Sequence, residues 1–199
     1  MPPMPPITQA LLLINVGVFA VDVLLGGMLS RLGALYSLGW GFMPWQVVTY
    51  AFLHGSLGHL FFNMLGLWIF GSELERLWGR QRFIRFYAAS VLSAAAMQLI
   101  VNMVIGSHVP TVGASGGLFG LLLAFGMMFP NRTIVPLFPP IPMKAKTFVA
   151  IYGGLELLLG VTGTQQGVAH FAHLGGMLGG YLMIRYWRGQ PPFSKRPRR

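Results

Sequence analysis

Six apolar stretches, at roughly residues 7–29, 46–72, 83–105, 114–129, 146–163 and 166–187, take up most of this 199-residue chain, and most approach the ~20 residues needed to cross ~30 Å of hydrocarbon. A segment spanning lipid must satisfy its own backbone hydrogen bonds, and the period-2 alternation of a barrel is absent, so all six are expected to be helices. The predicted fold is an all-α membrane protein, a bundle of six transmembrane helices forming one domain over 1–199, with a Pro-rich leader at 1–6 and a basic tail at 188–199. The apolar stretches leave no room for a separate soluble domain.

The formal net charge of +10 is informative through its placement. Of 14 basic residues, 13 fall in three places: Arg76, Arg80, Arg82 and Arg85; Arg132, Lys144 and Lys146; and Arg185, Arg188, Lys195, Arg196, Arg198 and Arg199. These are alternate connections plus the C-terminus, so the positive-inside rule puts both termini in the cytosol and the connections 30–45, 106–113 and 164–165 outside. The basic tail is thereby read as a topology signal that also attracts anionic lipid. Nucleic acid is not an expected partner, because no aromatic or motif context accompanies the charge. No basic residue precedes the first apolar segment, which is expected to be a retained helix and not a signal peptide. The absence of cysteine excludes disulfides, thiolate nucleophiles and cysteine metal sites.

Within the fourth and shortest apolar stretch, Gly113-Ala114-Ser115-Gly116-Gly117-Leu118-Phe119-Gly120 sets one serine among glycines. At ~1.5 Å rise per residue, Ser115 lies ~21 Å above the cytosolic end of its helix. The same ruler puts His59 at ~21 Å and Asn63 at ~15 Å on the second helix, and His173 at ~18 Å and His170 at ~22 Å on the sixth. Gly116 and Gly120, with Gly176 and Gly180, form small-xxx-small pairs that let the fourth and sixth helices approach closely. Ser115 and His173 are then expected within hydrogen-bonding reach, the geometry in which a histidine takes a serine proton. His59 and Asn63, four residues apart and so on one helix face, are expected to donate to an oxyanion. No aspartate matches this depth on a neighbouring segment, so a dyad is expected rather than a triad. Glu156, near the middle of the fifth span, must find a partner or be neutral, and Asp22, nearer the outer side of the first, is read as structural. Gln98 and Asn102 are expected to bond between helices.

With Gly113-Ala114-Ser115-Gly116, His59 and Asn63 with His54 before them, and His173 followed by Gly176 and Gly180, the chain resembles the rhomboid intramembrane serine proteases. The likeness covers nearly the whole chain and matches the minimal six-helix bacterial form. It implies a Ser115 nucleophile, a His173 general base, His59 and Asn63 around the oxyanion, and hydrolysis through an acyl-enzyme without metal or cofactor. It also implies transmembrane segments of membrane proteins as substrates, and a plasma-membrane location with the site opening to the extracytoplasmic side. Phe119 stands where the family usually stacks an aromatic, often tyrosine, on the catalytic histidine. Trp45 is followed by Gln46 where the family often has arginine, so the anchoring of the 30–48 loop, rich in Tyr36, Trp40, Phe42 and Trp45, is expected to differ. Two rival readings are a catalytically inactive rhomboid-like protein that binds membrane helices and a transporter using Glu156 and Asp22; the absence of an internal repeat weakens the latter.

Overall fold

The computed structural model describes residues 3–137, 139–163 and 169–193. Its helices are α1 (Pro6–Leu24), α2 (Met28–Gly33), α3 (Gln46–Thr49), α4 (Leu57–Gly66), α5 (Ser72–Trp78), α6 (Arg80–Ile105), α7 (Ser115–Met128), α8 (Ala145–Thr162) and α9 (His170–Trp187). A two-residue antiparallel pair, β1 (Thr133–Ile134) with β2 (Met143–Lys144), pinches the loop between α7 and α8. α1, α6 and α8 are each long and apolar enough to cross a membrane, and α7 is a shorter apolar helix. The molecule is an all-α membrane protein. The predicted connection at 164–165 and the outer parts of the leader and basic tail lie outside the described residues.

The predicted second span is displaced. Residues 46–52 form α3 and a short 3₁₀ turn, Leu53–Ser56 is non-helical, and the rod proper starts at Leu57, capped by Ser56 Oγ accepting from the His59 N–H. It then runs through a π-helical stretch, Leu67–Gly71, into α5 without a break. The charged Ser72–Arg76 segment is helical, and Glu75 within it serves as a cap for α1. Glu75 Oε1 accepts from the Ile7 N–H at 3.0 Å, and Oε2 accepts from the Thr8 N–H and hydroxyl at 2.7 and 2.8 Å. A carboxylate thus meets the free N–H groups and positive end of α1.

The centre of the bundle is the contact of α6, α7 and α9, and glycine makes it possible. A Cβ built on Gly176 would lie 1.8 Å from the Gly116 carbonyl oxygen, and one on Gly120 would lie 2.9 Å from the Gly176 oxygen. Gly175 and Gly179 face α6 in the same manner, with Cβ positions 2.8 Å from the backbone oxygens of Ser93 and Ala89. α9 therefore presents one glycine pair to each neighbour. Backbones packed this closely gain dispersion contact, which drives association where lipid offers no hydrophobic incentive.

The loop after α2 is tied down by Gln46, which is 2% exposed. Its Oε1 accepts from the Tyr36 and Met43 N–H groups, and its Nε2 donates to the Leu32 and Gly41 carbonyls. A neutral amide thus replaces the anchoring arginine that the resemblance implied. Asp22 is structural, as expected: it accepts from the Ser30 N–H at 3.1 Å and from the Ser30 hydroxyl at the start of α2. Gln98 and Asn102 depart from expectation, since Gln98 donates to Asn102 on the same helix and Asn102 donates to Ser37 in the loop.

Candidate active site

Ser115 is the first residue of α7, and the chain enters it through Gly113 with φ of 133°, a backbone conformation open chiefly to glycine. Gly113 donates its N–H to the Tyr50 carbonyl at 2.9 Å. A Cβ there would lie 2.8 Å from the His59 ring and 3.4 Å from Ser115 Oγ. The missing side chain therefore lets His59 and Ser115 share one space.

His173 stands one turn into α9, and its Nε2 lies 2.8 Å from Ser115 Oγ. Phe119, one turn after the serine, stacks on the imidazole with ring centroids 4.2 Å apart and planes within 6°. The stacking implied by the resemblance is present without a hydroxyl. His170 does not face the serine: its Nδ1 lies 2.7 Å from Glu156 Oε2, and its Nε2 is buried with no partner among the described residues.

Asn63 projects from α4 and is 4% exposed, with an Nδ2 that is buried and has no hydrogen-bond partner among the described residues. His59, one turn earlier, is half-buried and meets His54 edge-on, with centroids 5.1 Å apart. His54 lies in the non-helical Leu53–Ser56 segment, with neither ring nitrogen hydrogen-bonded among the described residues. Ser115, His173, His59, Asn63 and Phe119 all line one cavity of about 840 Å³, with Gln98 on its α6 wall.

Glu156 enlarges the two-member arrangement read from the sequence. Its Oε2 lies 2.8 Å from His173 Nδ1, on the side of the ring opposite Ser115. No aspartate lies at this depth, but the glutamate does: Glu156 lies ~15 Å above Lys146 by the same helical ruler, within a turn of His173. Donor atoms of Glu156, His170 and His173 lie within 4.8 Å of one another, close enough to hold a metal ion. The 2.7 and 2.8 Å contacts are nonetheless direct hydrogen-bond distances.

A family model for the Rhomboid domain matches residues 41–189. The chain belongs to the rhomboid family. Among its relatives, it is 34% identical over 142 residues to RHOMBOID-like protein 4 of Arabidopsis thaliana, covering 70% of this chain and 33% of that protein. It is 32% identical over 142 residues to Rhomboid protein 1, mitochondrial, of Saccharomyces cerevisiae, covering 69% of this chain and 40% of that protein. To Rhomboid protease GluP of Bacillus subtilis it is 28% identical over 144 residues, covering 69% of this chain and 25% of the relative. The chain thus spans well under half the length of these rhomboids. The matched segment of this rhomboid contains Ser115, His173, His59, Asn63 and Glu156.

Proposed function

We propose that this protein is an intramembrane serine endopeptidase that cuts peptide bonds in or near transmembrane helices of membrane proteins. The contact that carries the reading is the 2.8 Å approach of His173 Nε2 to Ser115 Oγ at the wall of the cavity. In the proposed reaction His173 takes the serine proton as Oγ attacks the substrate carbonyl carbon, and the carbonyl oxygen becomes the oxyanion. His173 then gives that proton to the departing amine, leaving an acyl-enzyme. Water, deprotonated by the same imidazole, hydrolyses the ester and restores the hydroxyl. Asn63 Nδ2 and the His59 ring supply donors to the oxyanion, with backbone N–H groups at the start of α7.

The whole described chain acts as one domain in this reading, in the plasma membrane, with cytosolic termini and the cavity opening to the extracytoplasmic side. The bilayer and the transmembrane segments of substrates are its partners. Helical peptide bonds are shielded in lipid, where water is scarce, so substrates with helix-weakening residues near the outer boundary are favoured.

A serine-reactive fluorophosphonate probe, with mass spectrometry of the labelled peptide, tests the assignment directly. The label is expected on Ser115; labelling elsewhere, or none in an active preparation, removes the assignment. Asn63→Ala is expected to lower kcat by roughly 100-fold, the usual loss for one oxyanion donor. Its unfolding temperature should change little, because Nδ2 has no hydrogen-bond partner to lose among the described residues. An unchanged kcat would take Asn63 out of the oxyanion site.

A further inference from the structure

The reaction above leaves Glu156 unassigned, although it is the carboxylate nearest the site. It sits on α8, its side chain is 13% exposed, and a single oxygen meets both His170 Nδ1 and His173 Nδ1. A carboxylate oxygen only accepts, so each imidazole turns an Nδ1–H toward it. For His173 this leaves the lone pair on Nε2, aimed at Ser115 Oγ. Phe119 fixes the plane of the ring by stacking, yet stacking alone leaves rotation within that plane free. The carboxylate removes that remaining freedom. Among the described residues, His170 has its one side-chain bond to Glu156 and a buried, unbonded Nε2, so its polar contact there is spent on the carboxylate.

We propose that Glu156 is a positioning residue for His173: it holds the imidazole in the Nδ1–H tautomer facing Ser115 and stabilises the positive charge the ring carries after taking the serine proton. His170 braces the carboxylate from the other side. The inference rests on the serine-protease reading. An intramembrane carboxylate is expensive unless partnered, and here both partners are histidines of α9, so its charge is placed where the reaction develops the opposite one.

The test measures kcat, KM and thermal unfolding for the full chain in lipid vesicles with a transmembrane substrate, using Glu156→Leu, Glu156→Gln and Glu156→Asp beside Ser115→Ala. Glu156→Leu is expected to lower kcat by about 100-fold or more, the scale of a lost acid–base contribution, with KM nearly unchanged. Glu156→Gln keeps an accepting oxygen without the charge and falls between Leu and wild type, while Glu156→Asp keeps the charge and recovers part of the rate. Nitrogen-15 NMR of His173 should show the Nδ1–H tautomer in the wild type and a mixture in Glu156→Leu. Wild-type kcat in Glu156→Leu with an inactive Ser115→Ala overturns the role of Glu156 and leaves the protease reading intact. An active Ser115→Ala removes the protease reading itself. Losses that follow KM and unfolding alone mark a purely structural residue, and activity abolished by a chelator and restored by zinc makes the trio a metal site; either result overturns the proposal.

Discussion

Ser115→Ala and His173→Ala are each expected to abolish cleavage of a transmembrane test substrate, with a loss on the order of a million-fold in kcat, the scale seen when a nucleophile or its base is removed. The two differ in what else they disturb. Ser115→Ala breaks one hydrogen bond, to His173, and should lower stability by about 1 kcal/mol, leaving insertion and folding intact. His173→Ala also removes the ring on which Phe119 stacks and one of the two partners of Glu156, so a further loss of about 1 kcal/mol for the aromatic contact is expected. His170→Ala should retain measurable activity, since its Nδ1 faces Glu156 and no nitrogen of its ring bonds Ser115. Parallel cleavage assays in vesicles decide the matter. An inactive His170→Ala beside an active His173→Ala would exchange the two histidines and undo the site as described.

Gly176→Ala should also be damaging, although it touches no reacting atom. The added methyl would lie 1.8 Å from the Gly116 carbonyl oxygen and 2.7 Å from its carbon, both backbone atoms with no rotamer to yield. Relief requires α7 and α9 to part by roughly 1.5 Å, since non-bonded heavy atoms rest near 3.5 Å. Overpacking of this kind costs about 1–3 kcal/mol or more. Ser115 and His173 ride on those two helices, one residue and three residues from the clash, so their 2.8 Å contact opens as well. A misplacement of about 1 Å at reacting groups can cost 100-fold in rate. Gly154→Ala on α8 is the matched control, because nothing lies within 4 Å of its added methyl. Unfolding temperature and kcat should both fall in Gly176→Ala and neither in Gly154→Ala; an active, stable Gly176→Ala would mean that the close glycine contact is not needed.

Much of this site was legible before any coordinates. The depth of Ser115, His59, Asn63 and His173 follows from counting residues along helices of known rise, and the glycine pairs name the two helices that touch. The structure brings His173 Nε2 to 2.8 Å from Ser115 Oγ and stacks Phe119, named by the resemblance and not by the count, on the imidazole. Three features escaped it. The second rod starts at Leu57 because residues 46–52 form α3 and a 3₁₀ turn and Leu53–Ser56 is non-helical, and hydrophobicity does not distinguish a span from a segment resting against one. Glu75 reads from the sequence as one more charge in a connection; that α1 starts upon it is a tertiary contact. Glu156 was visible as a costly carboxylate needing a partner, but which partner was open.

The sequence by itself determined an all-α membrane protein with a glycine-set serine and histidine at a common depth, because each helical residue adds a constant rise and lipid imposes a constant thickness. The glycine register favoured His173 over His170, but only the tertiary structure shows His173 Nε2 against Ser115 Oγ and Glu156 meeting both histidines. Those choices depend on how each helix is rotated about its axis. Rotation is set by side-chain packing between segments distant in the chain, here 58 residues apart for Ser115 and His173 and 17 for Glu156 and His173, and no count along a single helix contains it.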